Sequence, residues 1–268
     1  GVFLSHQDKI GNLDVLNAAA TMVEKWGNVP VTTVEWGELP LFEELRHPIL
    51  SLHAKVVPHS FDFERSLILT GPNTGGKTVL LKTLGLSYCL AWAGFPVPAK
   101  KFILPPKFFQ LFADIGDDQD LGQNLSTFSG HLRVLKTIYE EAVEGDWVLI
   151  DEIATGTAPE EGQPLAQAYI EKLLEKKCRL LVTTHYGALK HFAMNHESLR
   201  IGAMAFDVQS RKPTFELRLD VPGESSALES AEQLGIDASI IERARQLRGE
   251  VSQDLTFALS RLEASIDA

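Results

Sequence analysis

Residues 67–78 read Leu67-Ile68-Leu69-Thr70-Gly71-Pro72-Asn73-Thr74-Gly75-Gly76-Lys77-Thr78, an apolar run that stops in a glycine-rich loop. The last eight residues match GxxxxGK[ST]. In that pattern glycines let backbone amides approach phosphate oxygens without a Cβ in the way, the lysine reaches the β/γ phosphates, and the final hydroxyl serves Mg²⁺. Residues 79–92 continue as an apolar run of helix length, so a helix N-terminus with its unpaired amides faces the anion. Strand, loop and helix together predict a phosphate site formed by Gly71, Pro72, Asn73, Thr74, Gly75, Gly76, Lys77 and Thr78, with Thr78 also on the metal.

Downstream, two apolar runs end in chemistry-bearing side chains. Val148-Leu149-Ile150 runs into Asp151-Glu152. On a parallel strand emerging beside the phosphate loop, Asp151 is placed to hold Mg²⁺ and Glu152 to polarise an attacking water. Leu181-Val182-Thr183-Thr184 runs into His185, which at the same edge could donate to a γ-phosphate. Ser126-Thr127-Phe128-Ser129-Gly130-His131 precedes a helical pattern over 131–143. Small hydroxyls and a glycine there suit either an anion site or an ordinary N-cap at Ser129, and periodicity does not choose between them.

The rest of the chain organises around these motifs. Residues 11–26 space apolar side chains at helical intervals, and Gly27-Asn28-Val29-Pro30 ends that helix. Residues 31–68 are β-like with two turns, residues 109–115 form a short strand, and residues 164–176 form a long helix between the two apolar runs. Strands alternating with helices predict an α/β fold with a mostly parallel sheet flanked by helices. Residues 226–248 read as helix, tight Gly235 turn and second helix, either a DNA-reading unit or a packed hairpin. Residues 250–268 read as the start of a helix that is cut short.

Bulk properties bound the possibilities. The chain has 268 residues, 44% hydrophobic and 23% charged, and carries a net charge of −11. That charge argues against a broad electrostatic grip on a phosphate backbone by this chain alone. Cys89 and Cys178 lie far apart without ligand-like neighbours and are expected as reduced core thiols. No apolar run of about 18 residues and no basic-then-apolar leader is visible, so a cytoplasmic protein with no membrane contact is expected.

Phosphate loop, serine-rich signature, strand-Asp-Glu and strand-His in this order resemble the layout of ABC-type ATPases. The wording Gly-Pro-Asn-Thr-Gly-Gly-Lys-Thr, Ser-Thr-Phe-Ser-Gly-His, Leu-Ile-Asp-Glu-Ile and Thr-Thr-His-Tyr is similar to the ATPase domain of the MutS family. Asp114-Ile115-Gly116-Asp117-Asp118-Gln119, Ser129-Gly130-His131 and residues 235–248 resemble its second bacterial paralogue, whose members lack the mismatch-reading domain.

The resemblance implies a P-loop NTPase of ABC type that uses ATP/ADP and Mg²⁺ in a homodimer with shared sites. Lys77 and Thr78 would bind phosphates and metal, Asn73 would lie at the subunit boundary, and Asp151 and Glu152 would hold metal and activate water. His185 would sense the γ-phosphate, Ser126 and Ser129 would complete the partner's site, and Val57 and Phe215 are candidates for the adenine base. Implied domains are the end of a helical lever over 1–30, the ATPase domain over 31–222, a helix-turn-helix dimerisation segment over 223–249 and the start of a truncated clamp helix over 250–268.

Implied function is ATP-driven clamping of branched DNA that restrains homologous recombination. Alternatives are action on stalled or collided ribosomes, another ABC-type motor, or a nucleotide-dependent dimerisation module. No nuclease activity is expected of this chain. Ala154 and Ala158 stand where the paralogue usually has Gly and Asp, in a loop that normally signals between subunits.

Overall fold

The computed structural model of the chain describes residues 2–116, 127–207, 210, 212–223, 228, 231–232 and 235–247. The chain divides into two units, Gly1–Ala205 with Pro213–Glu224, and Phe206–Lys212 with Ser225–Ala268.

In the first unit, α1 (Val2–Trp26) leads into β1 (Glu35–Trp36), β2 (Leu41–Leu45) and β3 (His59–Asp62). Next come β4 (Ser66–Thr70), α2 (Lys77–Trp92), β5 (Lys101–Leu104), β6 (Leu111–Asp114) and α3 (Thr127–Glu141). The order continues with β7 (Trp147–Ile150), α4 (Pro159–Glu175), β8 (Arg179–Thr183), α5 (Gly187–Asn195), β9 (Leu199–Asp207) and β10 (Lys212–Leu219). Six strands form the main sheet in the order β10-β9-β4-β8-β7-β6, and the run from β9 to β6 is parallel throughout. A second sheet has the order β1-β5-β2-β3.

Both faces of the main sheet are covered, which explains why β4, β7 and β8 are apolar without alternation. Leu67 and Leu69 of β4, Trp147 and Leu149 of β7, and Leu181 of β8 pack with α2 and with Phe42, Phe61 and Phe102 of the second sheet. Their alternate neighbours Ile68, Val148, Ile150, Leu180 and Val182 pack with α3, α4 and α5. Phe63 and Phe42 anchor the first cluster through ring contacts to Trp147 at 4.8 Å and Phe102 at 4.7 Å. All five parallel strands therefore deliver their carboxyl ends to one edge, where Gly71–Thr78, Asp151, Glu152 and His185 lie.

Several expected boundaries shift. The first helix begins at Val2 rather than residue 11, and α2 begins at Lys77. Helix α4 starts at Pro159 after Ala158, so Pro164 lies inside it. A proline at the first helical position costs no hydrogen bond and starts the helix before its apolar pattern begins. Helix α3 starts at Thr127, which puts Ser129 within the helix and not at its cap. The region over 31–68 holds four strands and a 3₁₀ turn, Leu50–Leu52, and contributes to two sheets. Of the two thiols, Cys178 is buried and raised to about 11 by burial, whereas Cys89 is exposed and is no core residue. No helix among the described residues is long and apolar enough to cross a membrane.

In the second unit, the Gly235 amide donates to Glu232 O at 3.0 Å and the Ile236 amide to Ala231 O at 3.1 Å. This pair of bonds, with Gly235 at φ +76°, closes a helix end in a Schellman turn. Asp237 Oδ1 then accepts the Ser239 amide at 2.8 Å and starts the helix over 238–247. The helix predicted over 250–268 lies outside the described residues.

Candidate nucleotide site

Gly71 leaves β4 at φ +119° and Gly76 enters α2 at φ +93°, conformations that a Cβ would strain. Between them Asn73–Gly75 make a single 3₁₀ turn. Lys77 is only 1% exposed, and its Nζ donates to Gly71 O at 2.8 Å, so the ammonium lies across its own loop. Burial pulls the Lys77 pKa down; the carboxylates of Glu152 and Asp151 oppose that shift, and Lys190 reinforces it. A cation buried in an anion-binding loop, with two carboxylates in range, is poised for phosphate.

Thr78 Oγ1 donates to Asp151 Oδ2 at 2.5 Å, and Thr183 Oγ1 donates to Asp151 Oδ1 at 2.5 Å. The hydroxyl of Thr78 gives its proton to the carboxylate and keeps its lone pairs for a hard cation. Thr78 and Asp151 are thus an oxygen donor set that fits Mg²⁺, and the described residues offer no cluster of three or more His, Cys, Asp or Glu as a competing metal site.

Glu152 follows at φ +51° and Ala154 at φ +56°, a left-handed geometry unusual for residues with a Cβ. Three contacts hold them there. The Glu152 amide donates to Thr183 Oγ1 at 2.7 Å, the Ile153 amide to Thr183 O at 3.3 Å, and Tyr186 Oη donates to Ala154 O at 2.9 Å. Gly162 of α4 backs this turn: a Cβ there would meet Tyr186 Oη at 2.5 Å and Ala154 O at 2.9 Å.

His185 lies exposed two residues beyond the end of β8, its ring 4.6 Å from that of Tyr186. Phe215 sits on β10 at φ +59°, and its Cδ1 lies 3.1 Å from where a Cβ of Gly76 would be, so its ring flanks the phosphate loop. Val57 is half-buried in the loop before β3, in the second sheet's part of the chain, and no described contact joins it to the loop. Ser129 is partly buried in the first turn of α3. Ser126 and the side chain of Asn73 lie outside the described residues. A cavity of about 930 Å³ lined by Arg65, Lys107, Glu144 and Arg179 opens at the opposite, amino end of the strands, away from this chemistry.

Thr183, Asp114 and His131 were missed as site members. Thr183 looks like an ordinary strand residue, yet it ties Asp151 to Glu152. Asp114 ends β6 and accepts the Asp151 amide on its backbone oxygen at 2.8 Å, while its Oδ2 meets His131 Nδ1 at 2.9 Å. The available signal was positional: Asp114, like Asp151, is a carboxylate at the end of an apolar strand.

Comparison with known proteins fits this geometry. The family model for MutS domain V matches residues 67–252. The chain belongs to the MutS family. The MutS match opens at β4 and takes in the phosphate loop, Asp151, Glu152 and His185. Among curated relatives, Endonuclease MutS2 of Fusobacterium nucleatum subsp. nucleatum is 41% identical over 247 residues, covering 91% of this chain and 31% of that protein. Endonuclease MutS2 of Thermus thermophilus is 42% identical over 262 residues, 96% of this chain and 34% of the relative. Endonuclease MutS2 of Enterococcus faecalis is 39% identical over 256 residues, 95% and 32% respectively. The chain thus spans about a third of the length of the MutS2 relatives it matches, and the motif resemblance to the MutS2 branch of the MutS family holds.

Proposed function

We propose that this chain is an ABC-type ATPase domain that binds and hydrolyses ATP in sites shared between two copies. The observation that carries the reading is the bond set at one sheet edge: Thr78 and Thr183 on Asp151, with Glu152 hung from the same Thr183. Gly71 to Thr78 cradle the phosphates, with Asn73 at the subunit boundary, and Lys77 neutralises their charge. Thr78 and Asp151 would hold Mg²⁺, which when bound screens the phosphate charge. Glu152 takes the proton from the attacking water, and His185 donates to the γ-phosphate.

Ser126 and Ser129 complete the partner copy's site, and residues 223–249 supply further dimer contact. What supports Phe215 as the adenine neighbour is its ring against Gly76; Val57 has no comparable support. The lever and clamp readings of residues 1–30 and 250–268 belong to the same proposal.

Nucleic acid is the partner favoured by the relatives' name, endonuclease. With net charge −11, this chain is the motor and not the main DNA contact, so clamping of branched DNA and restraint of recombination fall to the longer protein. No nuclease activity is proposed for this chain. Ribosome-directed action uses the same ATPase cycle and is the second reading.

Light scattering on the Glu152→Gln protein with Mg²⁺ tests the shared site. The expected result is a doubling of mass on adding ATP; a full-length protein that stays monomeric with ATP contradicts it, whereas a dimer with and without ATP puts the main interface in residues 223–249.

A further inference from the structure

Asp114 stands beside Ile150 in the parallel pairing of β6 with β7, and its carbonyl carries the amide of Asp151. One peptide thus joins it to the carboxylate that would hold the metal. Its own carboxylate meets His131 Nδ1 at 2.9 Å, with side-chain exposures of 11% and 16%. Little water competes for a bond so enclosed, and its geometry is directional. His131 is the fifth residue of α3, two positions beyond Ser129. Leu135 and Ile138 fix the distance of α3 from the sheet by apolar packing, which resists sliding and rotation only weakly. The hydrogen bond supplies what that packing lacks: a fixed rotation and axial position for the first turns of α3.

We propose that His131 and Asp114 are positioning residues that lock the serine-bearing start of α3 to the Asp151 strand end of the same subunit. The state of one subunit's metal-side carboxylate then sets the aim of the Ser129 that it offers its partner. This rests on the shared-site reading above and adds the route by which the two sites communicate.

The test uses the full-length protein. His131→Ala and Asp114→Ala should each keep ATP affinity within about threefold, because their own phosphate loop is intact. Turnover should fall about ten- to a hundredfold, the size of effect that misplacement by an ångström produces. His131→Asn, which keeps a donor near the Nδ1 position, and Asp114→Asn, which keeps an acceptor, should retain most turnover.

Mixing decides the matter. A dimer of His131→Ala with Lys77→Ala contains one site with an intact loop and an intact opposing α3. Mixed protein should therefore turn over faster than either variant alone, and Asp114→Ala should behave in the same way. Ser129→Ala mixed with Lys77→Ala is the control for shared sites. Recovery with Ser129→Ala but not with the His131 or Asp114 variants overturns the positioning role alone. No recovery in any mixture overturns the shared-site reading itself. Loss of ATP binding along with turnover in both alanine variants reduces the contact to packing and overturns the inference.

Discussion

Two turns leave the same edge of the main sheet, one after β4 and one after β7, with β8 between them. The first is built from residues that want its shape: Gly71 and Gly76 take the positive φ values. The second forces Glu152 and Ala154 into left-handed geometry and holds them from outside, through Thr183 on the next strand and Tyr186 beyond it. A left-handed residue with a Cβ costs about 1–2 kcal/mol. The phosphate loop therefore carries its conformation in its own sequence, whereas the carboxylate turn borrows its conformation from neighbours. Strain of that kind gathers at functional sites, the setting proposed above for Glu152.

The largest expected effect lies outside both turns and has to be separated from them. His59 of β3 is 5% exposed, its Nδ1 has no hydrogen-bond partner among the described residues, and burial pushes its pKa down from 6.5 to about 4. Below pH 6.5 the unfolded chain takes up a proton that the folded chain refuses until about pH 4. Stability is therefore full above 6.5 and falls through that window, by about 3 kcal/mol for this group. Urea midpoints at pH 7 and pH 4.5 should show the loss, and His59→Gln should flatten it. Comparisons of the two turns belong at or above neutral pH.

Thr183→Val sharpens the contrast next. Valine fills the same volume but leaves the Glu152 amide without its acceptor and Asp151 Oδ1 without its donor, at a cost of about 2 kcal/mol. Under the proposed reading the first turn sets ATP affinity, which should hold, while hydrolysis should fall at least about tenfold. Equal loss of both would mean the turns are not separable.

Ala154→Gly is the smallest expected change. Relief of the left-handed strain is offset by the added freedom of the unfolded chain and by loss of a buried methyl, so stability should move by less than about 1 kcal/mol. A gain well above that, read from the thermal midpoint, would show that the borrowed conformation is more strained than its contacts imply.

The same contrast explains what was legible in the sequence. Strand β4, its loop and α2 could be read because glycines and an apolar run state their roles locally. Strands β7 and β8 could be read because both faces are buried, so Trp147–Ile150 and Leu180–Val182 are uninterrupted apolar runs. Thr183, Asp114 and His131 were not legible as one constellation, because the sheet order that brings β6, β7 and β8 together is a property of the whole fold. Strand β9 went unread for a related reason: Arg200 and Gly202 interrupt its apolar run, and its place beside β4 comes only from pairing. Likewise β5 is inserted between β1 and β2 from sixty residues downstream, which no local pattern over 31–68 announces.

The most direct measurement is single-turnover phosphate release by the Glu152→Gln protein, with ATP affinity determined in parallel. If the borrowed turn exists to aim a general base, affinity stays close to that of the unaltered protein and release slows at least about a hundredfold. Release at the unaltered rate with ATP still bound would place the base elsewhere and leave the left-handed Glu152 without a catalytic reason.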